Sequence, residues 1–172
     1  CSPDPGILVL VLGIDPGSQA TGYAVVRRSQ GRFELLEAGV IRTRSKDPIP
    51  ERLATIHAGL VEVIQRTRPE SAGIEAIFKY KSSESALRLG QARGVALLAA
   101  AQAGLEISDY NAMTVKKTVG GHGRAGKPEM IRIVARLLGL AEPLPSDASD
   151  AAAIAMTHLL QSAFKARLKG AS

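Results

Sequence analysis

The stretch Ile7–Ile14 is apolar on both alternations, with Ile7, Val9 and Val11 on one side and Leu8, Leu10 and Leu12 on the other. A strand apolar on both faces belongs in the centre of a sheet that is covered on both sides. It runs directly into Asp15, within Gly13-Ile14-Asp15-Pro16-Gly17-Ser18. A carboxylate at a strand end beside a glycine turn lies where open sheets hold their sites. The chain has 172 residues, 45% of them apolar, which suits one globular domain and not two. The run Ile7–Leu12 is the longest apolar stretch, far below the roughly 20 residues of a membrane span. No basic segment precedes it, so it does not read as a signal peptide. Residues 1–6 are set aside as an N-terminal tail or remnant, and residues 7–168 are read as a single domain.

Two further strands follow after short turns, Thr21–Arg28 and Arg32–Thr43, and complete an antiparallel meander. In the last of these, Phe33, Leu35, Gly39 and Ile41 are expected on one face. The period then changes. Leu53, Ile56, Leu60, Val63 and Ile64 recur at helical spacing between Pro50 and Pro69. A short strand Ala72–Ile77 comes next, then a long helix Ser83–Ala103 closed by Gly104, then a fifth strand Glu106–Tyr110. Helices over Thr114–Val119, Pro128–Leu138 and Ser146–Leu168 complete the order β-β-β-α-β-α-β-α-α-α. That order predicts an α/β fold with a five-stranded mixed β-sheet flanked by helices. The core must be aliphatic, since Trp is absent and Tyr and Phe number three each.

Four acids call for an explanation. Asp15 ends the first strand, although an ordinary Asx turn would use it equally well. Glu75 lies among apolar neighbours in Gly73-Ile74-Glu75-Ala76-Ile77-Phe78. A buried carboxylate there must be paired, protonated or metal-bound, unless the strand is an edge with Glu75 facing water. Asp147 and Asp150 share one helix face at i,i+3, after Ser146 as a plausible N-cap. Acids near a helix start are also explained by the helix dipole alone. Together, two acids from strands and two from one helix start suit Mg²⁺ or Mn²⁺, which favour oxygen ligands. Two such ions can clamp the attacking and leaving oxygens of a phosphodiester. The rest of the chain is basic, with 22 Lys+Arg against 16 Asp+Glu and a net charge of +6. That balance favours a polyanion, nucleic acid before membrane. Metals at the carboxylates would reconcile an acidic site with such a partner, and the combination reads as a nuclease. The one cysteine, Cys1, cannot form an internal disulfide, so a reducing compartment, the cytoplasm, is expected.

The chain resembles the RuvC Holliday-junction resolvases, which have the ribonuclease H-like fold. The resemblance rests on Gly13-Ile14-Asp15-Pro16-Gly17-Ser18 with Thr21-Gly22-Tyr23, and on Ile74-Glu75 with Phe78. It extends through Ser85-Ala86-Leu87-Arg88-Leu89-Gly90-Gln91-Ala92-Arg93-Gly94 to Asp147-Ala148-Ser149-Asp150-Ala151 and Ala155-Met156-Thr157-His158. It implies that Asp15, Glu75, Asp147 and Asp150 bind two Mg²⁺ or Mn²⁺ ions, one activating water and one stabilising the leaving 3′ oxygen. It implies a homodimer that nicks four-way DNA junctions symmetrically, leaving 5′-phosphate and 3′-hydroxyl ends. It also implies a preference for a short thymine-containing sequence and work alongside the RuvA–RuvB branch-migration complex.

The resemblance assigns lysines at Lys116 and Lys127 to the scissile phosphate and DNA backbone, and Lys127 a catalytic part. Lys117 and Arg124 lie in the same basic cluster around Gly120-Gly121-His122-Gly123 and are expected DNA contacts. Lys79 and Lys81 flank Tyr80 just after Glu75 and are further candidates. Phe78 matches an aromatic that stacks on an unpaired base near the junction centre. Ala86, Gly90 and Gly94 form an i,i+4 row, which fits either a second subunit or packing against the chain's own sheet. His158, two turns beyond Asp150, is about 11 Å along the helix axis and is expected to be structural. His57 is expected to be packed, and His122 could meet phosphate. The spacing of Gly121 through Gly126-Lys127 fits a nucleotide loop, but Pro128 stands where that loop requires Ser or Thr. Two alternatives to a junction nuclease stay open: another ribonuclease H-like nuclease, or a non-catalytic DNA-binding module.

Overall fold

A computed structural model of the chain describes residues 9–76 and 82–170, the side chains of residues 164–170 excepted. The five strands are β1 (Leu10–Asp15), β2 (Ala20–Ser29), β3 (Arg32–Arg42), β4 (Ser71–Glu75) and β5 (Glu106–Tyr110). The five helices are α1 (Ile49–Thr67), α2 (Ser83–Gln102), α3 (Ala112–Gly120), α4 (Lys127–Leu137) and α5 (Ser146–Gly170). Their order is the expected one. The strands form one sheet in the order β3-β2-β1-β4-β5. β1 is central as its sequence requires, antiparallel to β2 and parallel to β4. β4 and β5 are parallel, so the sheet is mixed.

Local chemistry sets the element ends. Gln30 and Gly31 both have positive φ between the paired residues Ser29 and Arg32. That is the two-residue turn whose twist suits a hairpin. α1 has Pro50 in its first turn and ends where Arg68 takes a left-handed conformation, its N–H donating to the Ile64 carbonyl. Ser82 caps α2 by accepting from the Ser85 N–H, and Asn111 caps α3 by accepting from the Thr114 N–H.

The sheet separates two apolar cores. On one face Leu12, Ile14, Val25 and Ile74 meet Ile56, Leu60 and Val63 of α1 and Ala92, Ala96 and Ala100 of α2. On the other face Val11, Ala24 and Val26 meet α5, which α3 and α4 cover through Val115, Met130 and Val134. α5 can lie close because it is rich in alanine there: Ala148, Ala151, Ala152 and Ala155 are all buried. Glycines complete the fit. A Cβ on Gly13 would lie 2.0 Å from the Ala151 carbonyl oxygen, and one on Gly22 would lie 2.0 Å from that of Asp147.

Two expectations are corrected. Phe33, Leu35, Gly39 and Ile41 do not share a face. Val25 pairs with Glu37 but Val26 with Leu35, so Leu36 is an extra residue in β3. Such a bulge inverts the alternation beyond it. Phe33, Leu35 and Ala38 join the α5 side, whereas Ile41 joins the α1 and α2 side. Ser146 does not cap α5. The Ser149 N–H donates to the Pro145 carbonyl, so Ser146 is already inside the helix, and its buried hydroxyl has no partner among the described residues.

Gly13→Ala should cost at least ~2 kcal/mol and lower the melting temperature by about 5 °C or more, because backbone and not a side-chain tip must move. Thermal unfolding followed by circular dichroism checks this.

Candidate active site

Asp15 and Glu75 are the last residues of β1 and β4, which are adjacent and parallel, so both carboxylates leave the same end of the sheet. The ladder ends at the pair Ile14–Ile74, whose side chains face α1 and α2. By strand alternation the next residues, Asp15 and Glu75, face α5. β4 lies between β1 and β5, so Glu75 is not on an edge strand.

α5 brings the other two acids. Its first turn rests on Gly22, the register partner of Asp15, which sets Asp147 beside the β1 end. One turn on, Asp150 shares that face. Carboxylate oxygens of Asp15, Asp147 and Asp150 lie within 4.8 Å of one another. Glu75 is not one of these three, but it lies close enough to act on Asp15.

So many acids at one place change their titration. Burial, first, and then the hydrogen bond and charge of Glu75 push Asp15 up to about 9, with Asp150 and Asp147 adding to the effect. Burial also raises Asp150, against the opposing pull of Lys127 and Lys116. The Lys127 ammonium lies 3.1 Å from Asp150 Oδ2 at the start of α4, and that hydrogen bond raises the lysine in turn.

The strand ends are held by bonds that the residue pattern alone does not reveal. The Arg93 Nε donates to the Glu75 carbonyl at 3.2 Å, and its guanidinium pairs with Asp109 of β5. After Asp15, the Ser18 carbonyl accepts from the Thr43 hydroxyl at 2.6 Å and from the buried Arg52. One signal for Arg52 is present in the sequence: it is a charge at helical spacing with Ile56, Leu60 and Val63.

Of the remaining candidates, Lys116 lies close enough to act on Asp150. Lys117 and Arg124 are exposed, on α3 and on the loop before α4. Phe78, Lys79 and Lys81 lie outside the described residues. His158 is buried away from the acids, with Nε2 3.0 Å from the Ser71 hydroxyl and Nδ1 2.9 Å from that of Tyr110. His57 bonds Gln102 and His122 lies 3.8 Å from Glu129, neither at the acids. The loop Gly121–Gly126 joins α3 to α4 and not a strand to a helix, which rules out the nucleotide-loop reading.

The model of the family described as crossover junction endodeoxyribonuclease RuvC matches residues 11–158. The RuvC of Pelotomaculum thermopropionicum is 44% identical over 162 residues, 94% of this chain and 99% of its own length. That of Magnetococcus marinus is 47% identical over 153 residues, 89% of this chain and 85% of its own length. The chain belongs to the RuvC family. A structure of Thermus thermophilus RuvC in complex with a Holliday junction substrate superimposes with a TM-score of 0.84 at 41% identity, covering 94% of this chain and 96% of that one. The yeast mitochondrial resolvase Ydc2, at a TM-score of 0.67 and 14% identity over 91% of this chain and 80% of its own, shares the fold. The chain is therefore a nuclease of RuvC type with the ribonuclease H-like fold. Its acids fit the divalent metal that such a nuclease requires: the donors are all carboxylate oxygens, and their mutual repulsion calls for a cation. Among the described residues, no helix is long and apolar enough to cross a membrane.

A carboxyl raised in the folded state contributes stability below the unfolded pKa near 4 and loses it as pH rises through the folded value. For Asp15 that window runs from roughly pH 4 up to about pH 9. In EDTA at pH 8, Asp15→Asn should therefore melt roughly 3 °C or more above the unmodified protein, a difference that shrinks toward pH 4. Mg²⁺ should raise the melting temperature of the unmodified protein and leave that of the variant unmoved. Differential scanning fluorimetry across pH reads both effects.

Proposed function

We propose that residues 7–168 act as one nuclease domain that resolves four-way DNA junctions by paired symmetric nicks, leaving 5′-phosphate and 3′-hydroxyl ends. The observation that carries this reading is the meeting of Asp15, Asp147 and Asp150 within 4.8 Å at one sheet end of a RuvC-family chain. The similar Thermus thermophilus RuvC takes a Holliday junction as its substrate, which supports the choice of DNA. Asp15, Glu75, Asp147 and Asp150 are the ligands in this proposal, for two ions of Mg²⁺ or Mn²⁺. When bound, such a pair supplies activation of water and stabilisation of the leaving 3′ oxygen.

The protein's own groups do the rest. The carboxylates orient about a phosphate that they would otherwise repel. Lys127, held charged by Asp150, is proposed to donate to a non-bridging oxygen of the scissile phosphate. Lys116, Lys117 and Arg124 contact the flanking DNA backbone, and Lys79 and Lys81 are proposed for the same task. Phe78 is proposed to stack on an unpaired base at the junction centre. The domain is proposed to work in the cytoplasm, with RuvA–RuvB moving the junction.

Two symmetric cuts need two sites, and a homodimer supplies them. The support for it lies on α2. Leu87, Gly94 and Leu98 fall along one face with Gly90 beside them, Leu87 and Leu98 are 62% and 50% exposed, and both glycines are exposed. Among the described residues nothing lies within 4 Å of where their Cβ atoms would stand. That favours a second subunit over packing of these glycines against the chain's own sheet. Gly94→Arg should therefore yield a monomer by analytical ultracentrifugation and lose paired nicking.

The activity test incubates the protein with a synthetic four-way junction and with a linear duplex of the same sequence, in Mg²⁺, Mn²⁺ or EDTA. Paired nicks confined to the junction and lost in EDTA are expected on a denaturing gel. Asp150→Asn should abolish cutting and spare junction binding, and Lys127→Ala should slow cutting more than it weakens binding. Equal cutting of the duplex would instead identify a general ribonuclease H-like nuclease, and no cutting a DNA-binding module.

A further inference from the structure

Arg52 is a buried charge that the chemistry above does not use. It stands on the apolar stripe of α1 with Ile56, Leu60 and Val63, and is 2% exposed. Burying a guanidinium is costly unless its donors are satisfied, and an anion is the usual partner. Among the described residues its partners are neutral. Nε and Nη2 both donate to the Ser18 carbonyl, at 3.1 and 2.8 Å, and Nη2 also donates to the Ser18 hydroxyl at 2.9 Å. The Nε lies 3.4 Å from the Thr43 hydroxyl, which itself donates to the Ser18 carbonyl at 2.6 Å. One carbonyl oxygen therefore receives three donors, two from Arg52 of α1 and one from Thr43 just after β3.

That carbonyl lies three residues beyond Asp15, in the turn that joins β1 to β2. The β1–β4 ladder stops at Ile14, so Asp15 has Gly22 of β2 as its one register partner. The turn is tightened from within, since Thr21 donates to the Gly17 carbonyl at 2.8 Å. It is tied to the end of β3 by the Thr43 N–H, which donates to the Gln19 carbonyl at 3.0 Å. Arg52 adds the link to α1, a helix on the far side of the sheet from α5. A planar guanidinium suits this task, because its fork fixes direction as well as distance.

We infer that Arg52 is a positioning residue for the metal site: it locks the Pro16–Gln19 turn and thereby holds the Asp15 carboxylate toward Asp147 and Asp150. This rests on the reading of those acids as metal ligands. Changes in residues that orient ligands typically lower metal affinity about 10–100-fold, so Arg52→Met should weaken Mn²⁺ binding to the DNA-free protein by about tenfold or more. Arg52→Lys, with a point charge in place of the fork, should fall between. Thr43→Val, which removes another donor to the same carbonyl, should weaken it in the same direction and keeps the test open if Arg52→Met does not fold.

Calorimetric titration with Mn²⁺ reads the affinity. Hydrogen exchange should show faster amide exchange in residues 17–20 of both Arg52 variants, while junction binding in EDTA stays unchanged. Val63→Ala, on the same buried face, provides a comparable loss of melting temperature and should keep the Mn²⁺ affinity of the unmodified protein. The inference is overturned if Arg52→Met and Thr43→Val bind Mn²⁺ as tightly as the unmodified protein, or if Val63→Ala loses as much. If the unmodified protein shows no Mn²⁺ binding that Asp150→Asn removes, the metal-site reading itself fails and this inference falls with it.

Discussion

The backbone of α5 lies directly on the backbone of β1 and β2, and the site depends on that contact. It is possible only because Gly13 and Gly22 carry no Cβ and because the helix face above them is largely alanine. Dense interiors do not absorb an extra atom at such a point; they shift an element. The shift would fall on the segment from Asp147 to Ala151, whose acids would then leave Asp15. The constraint that closes one core is therefore the same one that assembles the carboxylates.

Assembly has an electrostatic cost. Four acids drawn together in a half-buried place oppose one another, and Asp15 responds by holding its proton well above the ordinary carboxyl range. The fold answers with Lys127 on Asp150, yet Asp15 and Asp150 both stay raised. A structure optimised for stability alone would not do this; one that must attract divalent metal has reason to. The two arginines nearest the strand ends do not neutralise the cluster. Arg93 grips the Glu75 carbonyl and pairs with Asp109, and Arg52 grips the Ser18 carbonyl. Both act on main chain, fixing where the acids stand and not how they are charged.

Much of this is legible in the residues. The two-faced apolar run marks β1 as central, and the change from period 2 to period 3.6 separates strands from helices. The element order follows, and so does a mixed sheet. The departures have particular causes. The bulge at Leu36 interrupts the period of two between Glu34 and Glu37, so a spacing carried straight through it sets Ile41 on the wrong face. Ser146 fits the composition of a cap, but the helix begins one residue earlier than a serine cap would need. Arg52 breaks the apolar stripe of its helix, a sign of a buried contact whose partner the stripe cannot name.

The sequence by itself determined the kinds and order of the elements, the family resemblance and the four acids, because these follow from neighbours along the chain. Only the tertiary structure decided that Gly13 and Gly22 are contact points for α5 while Gly90 and Gly94 meet none of the described residues, although all four are glycines in regular elements. Only it decided that Asp15 meets Asp147 and Asp150, and that Arg52 ends on the turn beside Asp15. Those facts join residues as far apart as Asp15 and Asp150. They depend on how close one backbone can approach another, which no local pattern of residues records.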